Sequence, residues 1–260
     1  MKAVTVGGHL TPALALIDYT NHHALGVQWW FFGRLYNRTG QKSQEPLEIA
    51  QRPNTHFIAF SSPKLAGKTW QMLWLLPQLV WATLIALISL VRIKPDVVVV
   101  FGGYLAVPVE LAAKLLGIKV VAHEQTMIPG LANRVIARVA DQLAVTFPES
   151  AGSFSHPQLS VIGNAIRPSA LSDDLPIPGW YHNPKKLPIL LILGGSQGSQ
   201  ALNTLMLELA PKLLGNWYIV HQLGNPDGSA TDVVLQKLRK LTEQQQQYVC
   251  STWLAADDMY

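Results

Sequence analysis

Leu190-Leu191-Ile192-Leu193-Gly194-Gly195-Ser196-Gln197-Gly198-Ser199-Gln200-Ala201-Leu202-Asn203 joins a short aliphatic run to a cluster of small residues and then to a helical pattern. The aliphatic run reads as a buried strand, and the small residues as a tight turn delivering a helix N-terminus. Unpaired backbone N–H groups and the positive end of the helix dipole then point at one place, where an anion such as a diphosphate fits. A plain connector needs only one glycine, whereas glycine, serine and glutamine occur together here. No Lys follows Gly198, so this is not a Walker loop, and the spacing is not that of a dinucleotide fingerprint.

The same unit is written twice more upstream. Residues 2–6 read as a first buried strand, followed by Gly7-Gly8-His9-Leu10-Thr11-Pro12 and a helix over 13–19, with Thr11 suited to the N-cap and Pro12 to the first helical position. Residues 97–101 form a second such strand, ending in Phe101-Gly102-Gly103-Tyr104 before a helix over 107–116. Ligands of open α/β sheets bind at the carboxyl ends of the strands. His9 lies at such an end between residues that let a substrate approach, and it is the candidate general base. His22 and His23 fall in a polar connector and need no role.

A strand over 120–122 ends in His123-Glu124-Gln125-Thr126. Four polar groups at a ligand edge are costly unless used, which points to sugar recognition. Further strands are expected over 28–32, 55–60 and 143–146, with a helix over 131–140. Residues 34–52 are polar and poorly patterned, and read as a loop-rich excursion.

The 260 residues suffice for one large domain or two of ordinary size. Hydrophobic residues make up 49% and charged ones 14%, which excludes a disordered or nucleic-acid-coating chain. A net charge of +4 without basic-aromatic ladders suits an anionic membrane surface or phosphorylated substrates better than a duplex. Cys250 is the sole cysteine, so a reducing compartment is expected, and the apolar run before Gly7 is too short for a secretory signal.

Residues 69–91 carry no charge and include Trp70, Trp74 and Trp81. If Pro77 opens the helix, about sixteen residues remain before Arg92, roughly 24 Å, which is short of a ~30 Å hydrocarbon core. A helix covering the sheet is therefore expected. Its lack of a polar face calls for a partner or a membrane surface over its second side, with Lys64, Lys68, Arg92 and Lys94 near anionic headgroups in the latter case.

Residues 168–187 hold prolines, Asp173, Asp174 and Gly179, a linker composition, with Arg167 at the hinge. Beyond it, helices over 202–213 and 232–246 alternate with strands over 218–222 and 248–251. A doubly wound domain continues for several more βα units, so the second domain is expected to be incomplete.

Gly7-Gly8-His9-Leu10-Thr11-Pro12, Gly102-Gly103-Tyr104, His123-Glu124-Gln125 and Gly194-Gly195-Ser196-Gln197-Gly198, with Asn164-Ala165-Ile166-Arg167 and His221-Gln222-Leu223-Gly224, together resemble the MurG family. Its members transfer N-acetylglucosamine from UDP-N-acetylglucosamine to undecaprenyl-diphospho-N-acetylmuramoyl pentapeptide, converting lipid I to lipid II in peptidoglycan synthesis. The resemblance implies an α/β, GT-B fold: two Rossmann-like, doubly wound parallel-sheet domains, here 1–167 and 188–260. It further implies an inverting, metal-independent transfer without a cofactor.

By the same resemblance His9 and Glu124 are catalytic. The donor UDP-sugar meets Val6, Gly7, Gly8, Thr126, Arg167, Gly195, Ser196, Gln197, Gly198 and Leu254. The acceptor diphosphate meets Gly8, Gly102, Gly103 and Tyr104. Trp74, Trp81, Lys64, Lys68 and Arg92 touch the cytoplasmic face of the cell membrane peripherally, with other cell-wall synthesis proteins as further partners. Thr126 stands where the family carries Asn. Alternatives are a non-catalytic acceptor-side half of a split glycosyltransferase, an inactive fragment, and a nucleotide-sugar epimerase, for which a lipid-facing helix has no use.

Overall fold

The computed structural model describes all residues except 37–41, 64–68, 172–177, 180, 196–197, 225–228, 245, 253 and 255–260. Two compact units, Met1–Pro168 and Ser169–Tyr260, divide the chain.

The first unit runs β1 (Lys2–Val6), α1 (Leu10–His22), β2 (Gln28–Gly33), α2 (Glu45–Ala50), β3 (Thr55–Ala59), α3 (Thr69–Ile93), β4 (Val97–Val100), α4 (Ala106–Leu115), β5 (Lys119–Glu124), α5 (Leu131–Val139), β6 (Gln142–Val145), α6 (Pro148–Ala151) and β7 (Leu159–Val161). Its strands form one parallel sheet in the order β3-β2-β1-β4-β5-β6-β7. β-branched and aromatic side chains on both strand faces require cover on both. Val4, Val6, Phe32, Val98 and Val100 pack under α3, α4 and α5. Ala3, Trp29 and Phe31 pack on the other face against Ala13, Leu14 and Ile17 of α1 and Ile49 of α2.

Three expectations are corrected. α1 begins at Leu10 with His9 as N-cap, so Thr11 does not cap it and Pro12 lies inside the first turn, where its missing N–H costs nothing. Helix α2 interrupts the supposed loop over 34–52, because Ile49 finds a place in the core. α3 runs straight through Pro77 rather than starting there. Pro77 is exposed, while Ala82, Ala86, Leu90 and Ile93 seat the following turns on the sheet and outweigh one lost helical bond.

Among the described residues, Leu75–Ile93 of α3 is long and apolar enough to cross a membrane, with mean hydropathy 1.8. The whole helix spans about 37 Å at 1.5 Å per residue. One stripe of it is nonetheless built into the core of the unit, as a covering helix requires.

The second unit holds β8 (Ile189–Leu193), α7 (Gln200–Leu213), β9 (Tyr218–Gln222), α8 (Ser229–Gln244) and β10 (Tyr248–Ser251), with a parallel sheet in the order β10-β9-β8. Ile219 and Tyr248 pack with Met206 and Ala210 of α7 and Leu235 and Leu238 of α8.

Candidate active site

In the first unit the chain winds from β1 to β2 and β3 on one side and from β4 to β7 on the other. Strand order therefore reverses between β1 and β4, and open α/β sheets bind ligands beyond the carboxyl ends of the strands at such a switch point. The turns Gly7-Gly8-His9 and Gly102-Gly103-Tyr104 are what follow those two strands. They touch: a Cβ on Gly8 would lie 3.8 Å from the Gly102 carbonyl oxygen, and one on Gly103 would lie 3.7 Å from the His9 ring.

His9 is exposed at this junction. Desolvation by its surroundings pulls its pKa below the ordinary 6.5, and the charge of Glu124 partly opposes the fall. The imidazole is thus neutral at physiological pH, in the form that accepts a proton.

Behind His9 lies a closed polar cluster. Glu124, 2% exposed, accepts bonds at Oε1 from the Thr126 N–H and hydroxyl, both at 2.7 Å, and at Oε2 from Asn133 Nδ2 at 2.6 Å. Asn133 Oδ1 in turn accepts from the Gly103 N–H at 3.0 Å. A Cβ on Gly102, whose φ is +84°, would collide with the Asn133 amide at 2.6 Å, so this position admits only glycine. Glu124 acts on His9 through charge, with both oxygens bonded to protein donors.

In the polar run 123–126, His123 is bonded through Nε2 to the Gly163 carbonyl at 2.8 Å, and Gln125 Nε2 donates to the Phe101 carbonyl at 3.1 Å. These side chains tie neighbouring connections of the sheet together. Val6 is buried in the core and offers a ligand only its backbone.

A second carboxylate, which the sequence did not single out, sits on the far side of the turns. Glu45 is buried and accepts from the Arg34 N–H at 2.6 Å. Burial raises its pKa above the usual carboxylate value, and the bond from Arg34 and its charge pull it back. Arg34 Nη2 lies 3.5 Å from Glu45 Oε1, and Nη1 donates to the Tyr104 hydroxyl at 3.0 Å. Glu45 and Asn133 were both missed because each comes from a helix distant in sequence. The one available signal was Glu45 as the first residue of a short amphipathic run.

In the second unit, Gly194 and Gly195 follow β8, and Ser199 caps α7 by accepting from the Leu202 N–H at 3.4 Å. Ser196 and Gln197 lie outside the described residues. Gly198 packs backbone to backbone on Gly224 of the turn after β9, where a Cβ would sit 2.1 Å from Gly198. Leu254 is 2% exposed and its side chain packs on Tyr218 and Val220. Arg167, at the end of the first unit, has a buried Nε without a partner.

On α3, Trp81 is 66% exposed and Arg92 is exposed. Lys64, Lys68 and the side chain of Trp74 lie outside the described residues.

Two parallel α/β units with glycine turns at the carboxyl ends of their strands, the first wound about a topological switch point, place the chain in the GT-B class. It belongs to glycosyltransferase family 28, whose N-terminal domain matches residues 3–145. A UDP-N-acetylglucosamine–N-acetylmuramyl-(pentapeptide) pyrophosphoryl-undecaprenol N-acetylglucosamine transferase of Desulfotalea psychrophila is 32% identical over 226 residues, covering 85% of this chain and 58% of that protein. The Klebsiella pneumoniae protein of the same name is 35% identical over 222 residues, covering 84% and 57%.

Among solved structures, Acinetobacter baumannii MurG is 27% identical with a TM-score of 0.54, over 90% of this chain and 64% of that one. UDP-GlcNAc 2-epimerase of Neisseria meningitidis shares the fold at 14% identity and a TM-score of 0.60, over 100% of this chain and 74% of that one. The chain spans less than two-thirds of the length of these curated relatives.

Proposed function

We propose that this chain belongs to an inverting transferase that moves N-acetylglucosamine from UDP-N-acetylglucosamine to undecaprenyl-diphospho-N-acetylmuramoyl pentapeptide, making lipid II from lipid I. The observation that carries the reading is the neutral, exposed His9 where two glycine turns meet at the switch point, backed by buried Glu124. An acceptor hydroxyl attacks the anomeric carbon as the bond to UDP breaks, and its proton passes to His9. The Glu124 charge favours the imidazolium so formed.

The curated relatives support the choice of donor and acceptor by their names. The exposed apolar side of α3, with Leu76, Val80, Trp81, Leu84 and Ile88, supports peripheral attachment to the membrane that holds such an acceptor. No nucleic acid is involved in this reading. Ser196, Gln197, Gly198 and Arg167 serve the departing UDP, and neither cofactor nor metal is needed, so EDTA should leave turnover unchanged.

The test is transfer of radiolabelled N-acetylglucosamine to a lipid-linked acceptor. His9→Ala should lower turnover by about a hundredfold or more. Near-normal turnover removes His9 from the role. If the unaltered chain binds acceptor vesicles yet transfers nothing until a second chain is added, the acceptor-side half of a split enzyme is the better reading.

A further inference from the structure

Two of the four glycine amides in the paired turns of the first unit are already engaged. The Gly7 N–H donates to the Phe32 carbonyl at 2.7 Å, and the Gly103 N–H to Asn133 Oδ1 at 3.0 Å. Two helix N-termini remain at this edge. α1 and α4 start at His9 and Leu105, neither of which caps its helix with a side chain, and neither helix has an acidic residue in its first turn. Their dipoles favour an anion, but supply only partial charge. A diphosphate buried against them calls for a full cation.

We propose that Arg34 is that cation, receiving the diphosphate of a ligand seated at the junction of the two turns. It stands directly after β2, the strand next to β1, and its Nη1 lies 3.0 Å from the Tyr104 hydroxyl of the second turn. Its side chain is 24% exposed, and its buried Nε has no partner. Guanidinium has five N–H donors in a fork that matches phosphate oxygens, and only some of them are engaged here.

Glu45 takes up only part of this charge. Its Oε2 is held by the Arg34 backbone N–H at 2.6 Å, and its Oε1 pairs with Arg34 Nη2 at 3.5 Å. It fixes where Arg34 sits from one side of the guanidinium, leaving Nε and the Tyr104 side of the fork for the ligand. The proposal rests on the diphosphate-linked acceptor of the reading above, and adds a residue whose role is binding rather than proton transfer.

The experiment is titration of the whole chain with inorganic pyrophosphate, followed by calorimetry, so its result does not depend on whether sugar is transferred. Arg34→Gln should weaken binding about tenfold or more, and Arg34→Lys by only about threefold, because Lys keeps the charge and loses the fork. Pyrophosphate should also shield Arg34 from phenylglyoxal in the unsubstituted chain, read by peptide mass spectrometry against exposed Arg92 and Arg138, which should not be shielded. The labelling needs no variant, so a misfolded Arg34→Gln protein leaves the test intact. No measurable pyrophosphate binding, an Arg34→Gln affinity within twofold of the parent, or unshielded Arg34 overturns the proposal.

Discussion

At the residue scale, the chemistry is a matter of which polar groups remain available. Of His9, His123 and Glu124, only His9 reaches solvent without a hydrogen bond that commits its ring. Because desolvation lowers its pKa, the proton-accepting form prevails from well below neutrality upward. Turnover should therefore hold through neutral pH and fall only as pH drops through a value below 6.5, read as the acid limb of a kcat/KM profile. Asn133 is the opposite kind of residue, fully used and remote from the reacting atoms. Asn133→Ala leaves buried Glu124 short of one donor and the Gly103 N–H without an acceptor, and should cost about 1–3 kcal/mol, measured by urea unfolding. His9 was legible in the sequence because it is embedded in its own turn. Asn133, Arg34 and Glu45 were not, because the contacts that define them join separate elements.

At the element scale, the glycine turns and α3 carry the design. Gly224→Ala would drive a Cβ to 2.1 Å from Gly198 at a φ of +69°, so the turns after β8 and β9 would have to part. That should destabilise the second unit by at least about 2 kcal/mol, seen as an earlier transition in its thermal melt. Helix α3 has two apolar sides with different work. Ala82, Ala86 and Leu90 are buried against the sheet, while Trp81 and Ile88 face outward. Replacing Trp81 and Ile88 together by Ser should abolish sedimentation with anionic liposomes and leave the melt nearly unchanged, whereas Leu90→Ala should cost about 2–5 kcal/mol. Unaltered sedimentation of the Ser variant would remove the membrane role. The long uncharged run located this helix, but a reading that let Pro77 set its start took a local steric rule as decisive where packing prevailed.

At the scale of the whole molecule, one buried titratable group in each unit ties stability to pH, and the two do so in opposite directions. Glu110 of α4 is buried, and burial pushes its pKa to about 9, with Lys114 opposing the rise. The unfolded carboxyl titrates near 4.5, so this residue favours folding at low pH and loses that contribution as pH climbs from about 4.5 to 9. His221 of β9, 0% exposed and 2.7 Å from the Tyr248 hydroxyl, is held neutral with a pKa pulled down to about 4 by burial. The unfolded state binds its proton first, so the second unit is weakened as pH falls from about 6.5 to 4. Glu110→Gln should accordingly stabilise the first unit at pH 8 and do little at pH 4.5, and the second unit should melt earlier at pH 5 than at pH 7. Differential scanning calorimetry of both forms checks both signs.

By itself the sequence determined the α/β class, the alternation of strands with helices, and the three glycine turns. Aliphatic runs, glycine doublets and helical spacing are local signals that act within a few residues of where they are written. Only the tertiary structure decided that Glu124 is buried and bound on both oxygens, that Glu45 takes the Arg34 amide, and that Arg34 stands over Tyr104. Those outcomes follow from strand order, which brings the ends of β1, β2, β4 and β5 side by side, and from burial, which obliges each polar atom there to find a partner.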